Sequence, residues 1–277
     1  FMESVLWAFK TLYDKGRAYE GYYVLPYCWK DQTPLSAHEL RMDDDVYQER
    51  QDQTVTVTFP FSGEKAEQLG LDGVKALAWT TTPWTLPTNF SLAVGPELEY
   101  AVLPAGPLGA ADGTSAGEGR YLMAKALVGS YAKELGYESA EEALAACEQR
   151  VFAGAELEHV AYQPLWTVYS EDRAKWGTEN AWIVTVADYV STDDGTGVVH
   201  QANAYGEIDQ QVNAAYGIPV IVSVDDGAQF LDYFAGTDLD EIAGVQVFEA
   251  NRPIIRSLQR AGRLLREASY VHSYPHC

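Results

Sequence analysis

Cysteine is nearly absent from these 277 residues. Cys28, Cys147 and Cys277 stand far apart with no Cys-x-x-Cys pair, so neither a disulfide framework nor a zinc ribbon is signalled. The simplest setting is reducing and cytoplasmic. Basic residues are also scarce, with 19 Lys and Arg against 40 Asp and Glu and a formal charge of -21. Gripping nucleic acid takes clustered cations that neutralise phosphates, so any RNA partner has to be held mainly by another body. No uncharged apolar run reaches membrane-spanning length, and no basic-then-apolar leader precedes the chain, which opens on Phe1. A soluble piece of a longer protein, without a membrane partner, is expected. The glycines form no GxGxxG and no Walker loop. The histidines follow no zinc spacing.

What is present is strand pattern. "QTVTVTFPF" alternates with period two, placing Val55, Val57 and Phe59 on one face and Thr54, Thr56 and Thr58 on the other, as in a half-buried strand. Further strands are expected in "VKALAWTTT", "SLAVG", "EYAVLP", "AWIVTVADYV", "TGVVHQA" and "IPVIVSV". Helical spacing marks residues 2–16 and the stretch around "RPIIRSLQR", with Pro253 in a first turn, while "SYAKELGY", "SAEEALAACEQ" and "EIDQQVNAAYG" are helical in composition. Residues 104–120, rich in Gly, Ala and Pro, read as a solvated, mobile loop. Many short strands with scattered helices favour an α+β fold, a barrel of mixed or antiparallel strands with peripheral helices. The chain divides into an N-terminal helix and connecting arm over 1–45, a body over 46–265 and a return arm over 266–277.

Two segments are dense in chemistry. In "LAWTTTPWTLPTN" a strand ends at Pro83, so Thr85 swings back beside Thr80 or Thr82 and several hydroxyls crowd one point. Such hydroxyls donate and accept without charge, which suits a ribose or a water. Threonine also simply favours strands, and from this segment alone both explanations stand. In "DDGTGVVHQANAYGEIDQQV", Gly195 and Gly197 form a turn into a short strand ending near His200. Asn203 to Gly206 then loop into a helix whose first turn carries Asp209. That carboxylate either satisfies the helix dipole or pairs with an ammonium group.

Taken together, "AWTTTPWTLPTN" and "GTGVVHQANAYGEID" resemble the editing domain of isoleucyl-tRNA synthetases, the connective polypeptide 1 insertion of these class I enzymes. The likeness runs through "LYDKGRAYEGYYVLPYC", "VIVSVDDGAQF", "VFEANRPIIRSLQRAGRLL" and "HSYPHC". It implies a barrel-like domain that receives the 3′ end of isoleucine tRNA and hydrolyses wrongly esterified valine. A synthetic site rejects one missing methylene by only ~1–3 kcal/mol, so a second site must sieve by bulk. By position, Thr80, Thr81, Thr82 and Thr85 would surround the terminal adenosine and the attacking water. Trp84 would shape the wall, His200 would border the side-chain pocket with Ala204 and Tyr205 beside it, and Asp209 would anchor the α-ammonium. The partners implied are the valine-bearing tRNA end and the remainder of the synthetase chain.

No cofactor is implied for editing. ATP and Mg belong to the synthetic site, whose His-Ile-Gly-His and Lys-Met-Ser-Lys-Ser signatures do not occur here, so no amino-acid activation is expected. Valine and leucine relatives carry Thr-Thr-Arg-Pro, whereas Thr82 stands at the third position here. Asn203 replaces a common proline, and Ile208 replaces an acidic residue that often precedes the aspartate. Some relatives place zinc cysteines after "PYC"; here Trp-Lys-Asp-Gln follows Cys28, leaving at most a partial site with Cys277, and no metal is expected. The alternatives are a non-catalytic module that binds the tRNA end and an editing domain of the valine or leucine type.

Overall fold

The computed structural model describes residues 1–36, 38–40 and 46–275. Its strands are β1 (Tyr27–Cys28), β2 (Thr33–Pro34), β3 (Tyr47–Ser62), β4 (Lys75–Thr80), β5 (Ser91–Val94), β6 (Glu99–Pro104), β7 (Arg120–Ala124), β8 (Val151–Ala153), β9 (Ala161–Tyr162), β10 (Ile183–Val186), β11 (Val198–Gln201) and β12 (Leu264–Pro275). The helices are α1 (Met2–Asp14), α2 (Glu64–Leu69), α3 (Ala140–Ala145), α4 (Gly154–Leu157), α5 (Arg173–Trp176), α6 (Glu207–Ala215) and α7 (Val247–Arg260).

Six strands close on themselves in the order β3-β9-β10-β5-β11-β4, because β4 returns to pair with β3. The ring is mixed: β10 with β5 and β11 with β4 run parallel, and the other pairs are antiparallel. β12 adds to β3, while β7, β6 and β8 extend the sheet beyond β4. This is the barrel-like α+β arrangement expected: the ring of six closes on itself, and β12 and β8 are the edge strands of its extensions.

The alternation in β3 marks a strand, but not a half-buried one. Both faces are buried from Val55 to Pro60's neighbour Phe59. Val55, Val57 and Phe59 join the main core with Ile254, Ile255 and Leu258 of α7. The threonine face lies under a second apolar layer containing Leu77, Tyr121 and Tyr131, and the Thr56 hydroxyl meets the Tyr131 hydroxyl at 3.0 Å.

Four local expectations are corrected. "IPVIVSV" joins no strand and makes one bridge, Val224 to Phe230. Pro219 lacks an N–H, the Ile218 and Pro219 carbonyls are taken by the Asn203 amide, and the Ser223 N–H is taken by the Tyr205 hydroxyl. The loop 104–120 is pinned: Asp112 binds Lys75 at 2.6 Å and the Tyr121 hydroxyl at 2.8 Å, with its side chain wholly buried. "SYAKELGY" forms a 3-10 turn followed by further turns rather than an α-helix. Pro253 lies in the middle of α7, which starts earlier, at Val247, where the Gln246 side chain accepts from Phe248 N–H.

Helix α1 buries none of its residues. The arm after it touches the body through Tyr27, whose hydroxyl donates to the Asp226 carbonyl, and through Trp29, which packs edge-on against Phe248. Beyond Val55 and Glu267, the ends of β3 and β12 continue as a paired ribbon to Tyr47 and Pro275.

Gly197, which leads into β11, has φ of +72°, and a Cβ there would stand 2.3 Å from that of Ala124. Gly197→Ala is expected to cost about 3 kcal/mol from backbone strain and overpacking combined, read as a lowered urea midpoint. An unchanged midpoint would contradict this packing.

Candidate active site

β4 ends at Thr80, and Pro83–Thr88 turns as a 3-10 helix with proline at its start. That turn carries Thr85 back toward the strand. Thr80 and Thr82 hydroxyls lie 3.1 Å apart, Thr82 and Thr85 3.4 Å, and Thr85 donates to the Thr82 carbonyl at 2.9 Å. Thr85 also meets His200 Nε2 at 3.0 Å. The hydroxyl cluster read from the sequence is therefore formed, and His200 adjoins it.

His200 is buried, at 8% exposure, on the central strand β11. Asn89 Nδ2 donates to its Nδ1 at 2.8 Å. A nitrogen that accepts cannot carry the proton, so Nε2–H is fixed and donates to Thr85. Asn89 is itself held, donating to the Ser91 carbonyl and accepting from the Tyr162 hydroxyl at 2.7 Å. Desolvation pushes the His200 pKa down to about 3. The imidazole is neutral, with both nitrogens engaged.

A cavity of about 390 Å³ opens beside it, lined by Trp79, Thr80, Thr81, Tyr189, His200 and the 193–197 turn. Among the described residues no hydrogen bond engages the Thr81 hydroxyl, the free one of the four. Thr82, Thr85, Trp84, Ala204, Tyr205 and Asp209 lie outside this lining. Trp84 and Tyr205 pack edge-to-face with centroids 4.7 Å apart, and Ala204 is half-buried in the adjoining loop. A larger open groove of about 800 Å³ runs along the C-terminal half of α6, lined by Glu158, His159, Glu179 and Tyr216, and none of the threonines reaches it.

Asp209 sits in the first turn of α6, half-buried, with Ala202 N–H donating to Oδ2 at 2.9 Å. Gly206 makes room for it, since a Cβ there would lie 2.6 Å from Oδ2. Burial raises its pKa, against lowering by Ala202 N–H and the Tyr189 hydroxyl. Among the described residues no ion pair engages the Asp209 carboxylate. Asn203, standing where proline is common, is buried and ties the loop to residues 218 and 219. Ile208 is exposed.

Asn89, Tyr162 and Tyr189 were not singled out by sequence reasoning. Asn89 closes the quoted threonine segment, and its position two residues before the β5 serine was the available signal. His276 and Cys277 lie outside the described residues. Among those described, no group of three His, Cys, Asp or Glu is placed to hold a metal ion, and no helix is long and apolar enough to cross a membrane.

The state of His200 has a pH consequence. Its folded pKa lies below the ordinary 6.5, so the unfolded chain binds the proton first and stability falls as pH drops below 6.5, until about 3. At pH 5 the loss is about 2 kcal/mol relative to neutral pH. Urea titrations should show this slope, and His200→Asn should flatten it. Equal slopes in the two proteins would contradict a buried neutral imidazole.

The family model of class I tRNA synthetases (I, L, M and V) matches residues 1–222. The chain is 64% identical over 282 residues to the isoleucine--tRNA ligase of Leifsonia xyli subsp. xyli, a match spanning all of this chain and 25% of that protein. It is 44% identical over 285 residues to that of Mycobacterium tuberculosis, spanning all of this chain and 24% of that protein. The chain thus spans about a quarter of the length of the curated relatives it matches. In fold it is similar to the editing domain of the cytosolic leucyl-tRNA synthetase of P. knowlesi, with a TM-score of 0.51 at 10% identity, covering 84% of this chain and 100% of that one. A P. falciparum counterpart with two insertions deleted gives 0.50 at 9%, covering 79% and 99%. The chain belongs to the class I tRNA synthetases of the I, L, M and V group, and its fold is that of a synthetase editing domain.

Proposed function

We propose that this chain hydrolyses valine wrongly esterified to isoleucine tRNA, acting as the editing domain of an isoleucyl-tRNA synthetase. The observation that carries this is the cluster of linked threonine hydroxyls against a neutral His200 at the wall of one cavity, with Asp209 following on α6 and paired with no cation among the described residues. The substrate brings the missing cation, its α-ammonium. Similarity to isoleucine--tRNA ligases supports the isoleucine branch, as does Thr82 at the position where valine and leucine relatives carry arginine.

The reaction needs no side-chain nucleophile. Water attacks the ester carbonyl carbon, the bond to the ribose oxygen breaks, and that oxygen takes a proton. An aminoacyl ester is reactive, so fixing the water and the carbonyl geometry supplies much of the acceleration. Thr80, Thr81 and Thr82 offer uncharged donors and acceptors for the ribose and the water. Trp84 stands on the threonine turn itself, and Ala204 and Tyr205 stand on the loop that leads into α6. His200, fixed on both nitrogens, limits the side-chain pocket by bulk, admitting valine and excluding isoleucine. In this reading the tRNA body is held by the remainder of the synthetase chain, where ATP and Mg also act. The protein works in the cytoplasm.

Asp209→Ala should lower kcat/KM for valyl ester on isoleucine tRNA by about 100-fold, equivalent to ~2.7 kcal/mol, with a cooperative urea transition retained. Undiminished deacylation by this variant would sink the assignment. Binding of the tRNA end without hydrolysis by the unaltered protein would favour a non-catalytic module instead.

A further inference from the structure

A second cavity, of about 280 Å³, lies against the first. The two share Trp79 and the turn at residues 193–195 as a common wall. Trp79 is half-buried on β4, across from Thr56, and its indole is held from two sides. Gly195, at φ of +73°, lays its backbone on the ring, where a Cβ would stand 3.1 Å from Cε3. Tyr270 of β12 meets the indole edge-on with centroids 5.5 Å apart. Beyond this partition the second cavity is lined by Thr54, Ser130, Tyr131, Arg266 and Tyr270.

The two cavities differ in charge. No lysine or arginine lines the first, and its imidazole is neutral. The second has Arg266, whose guanidinium lies over the Tyr131 ring at 5.4 Å, with Nε 3.4 Å from the Glu134 carboxylate. Its side chain is still 40% exposed, so a phosphate can reach it. Asp193 and Asp194, both exposed, add acceptors of the kind that meet the exocyclic amine of cytosine. Aromatic rings beside a cation are what single-stranded nucleic acid needs, a surface for a base and a partner for its backbone.

Position decides which nucleotide fits. Ala268 stands across from Thr54 and Tyr270 across from Asp52, where β3 and β12 leave the barrel as a ribbon. With the terminal adenosine in the first cavity, the phosphodiester on its 5′ side finds no cation there. Arg266 stands across the indole, where it meets that phosphate without entering the cavity of the threonines. We propose that the second cavity binds the nucleotide preceding the terminal adenosine, its base against Trp79 and Tyr270 and the joining phosphodiester at Arg266. The inference rests on the editing reading above.

Transfer RNAs end in cytidine-cytidine-adenosine, so the probes are the valyl esters of adenosine and of the dinucleotide cytidylyl-adenosine. For the unaltered protein, kcat/KM should be about tenfold higher on the dinucleotide, mostly through KM, as the stacking of one base implies. Tyr270→Ala and Arg266→Gln should each bring that ratio to within about twofold of unity. The ratio is taken within each protein, so a loss of stability that slows both esters cancels. A ratio near unity in the unaltered protein, or a tenfold ratio retained by either variant, overturns the subsite. If the unaltered protein hydrolyses neither ester, the editing reading fails separately. The subsite is then decided by NMR with unesterified cytidylyl-adenosine and adenosine. Shifts of the amides of residues 268–270 with the dinucleotide alone support it, and shifts with neither or with both alike overturn it.

Discussion

An imidazole removed from water remains neutral and oriented only if each of its nitrogens meets a partner of the right polarity. His200 meets this condition through Asn89 on one side and Thr85 on the other, and much of the site's order follows from it. Because Asn89 presents an N–H, the proton of His200 must sit on Nε2, and Thr85 must accept it. Thr85 then spends its own hydrogen on the Thr82 carbonyl, which fixes the turn that gathers the threonines. The chain begins at Tyr162 on β9 and ends beside β4. Only a sheet that closes on itself brings those strands to one point.

The residue after His200 applies the same constraint to the opposite face of β11. Successive side chains of a strand point to opposite sides, so His200 joins the threonine network and Gln201 the network under α6. Gln201 stands directly across from Ser91 in the antiparallel pair of β11 and β5. Asn213, buried in the last turns of α6, donates to Gln201 Oε1 and to the Asp209 carbonyl. The helix that presents Asp209 is thereby anchored to the barrel by the Gln201 amide. Unsatisfied, these groups would each carry a desolvation cost of about 1–3 kcal/mol, so the network acts as a unit and leaves little freedom in where the carboxylate stands.

Much of this framework is legible in the sequence, and what is not legible has a common cause. Period two in "QTVTVTFPF" and the proline after Thr82 are local signals, and β3, β4 and the threonine turn lie where those signals place them. Helix α1 follows its apolar spacing and α6 its composition. The second apolar layer over β3, the ion pair from Lys75 that pins the 104–120 loop and the diversion of "IPVIVSV" all depend on partners distant in the chain. Tyr162 lies 73 residues from Asn89, and Asn89 lies 111 from His200. Residues of such ordinary type acquire a role only from the fold, which is why His200 and Asp209 stood out in sequence and the amides and phenols holding them did not.

The charge balance sharpens the functional reading. A polyanionic RNA end and an uncompensated carboxylate repel one another, and the chain as a whole carries -21. A site that faced the RNA with lysines would relieve this, but those lysines would also pair with Asp209 and remove its selectivity for an ammonium. Hydroxyls, amides and a neutral imidazole escape the conflict, since they bond ribose, ester and water without presenting a competing charge. On the proposed reading, the α-ammonium is then the one cation that makes the tRNA end acceptable next to Asp209. Hydrolysis separates that cation from the RNA. The deacylated end is left facing a carboxylate with nothing to offset it, so the contact that admits the substrate also disfavours retention of the product.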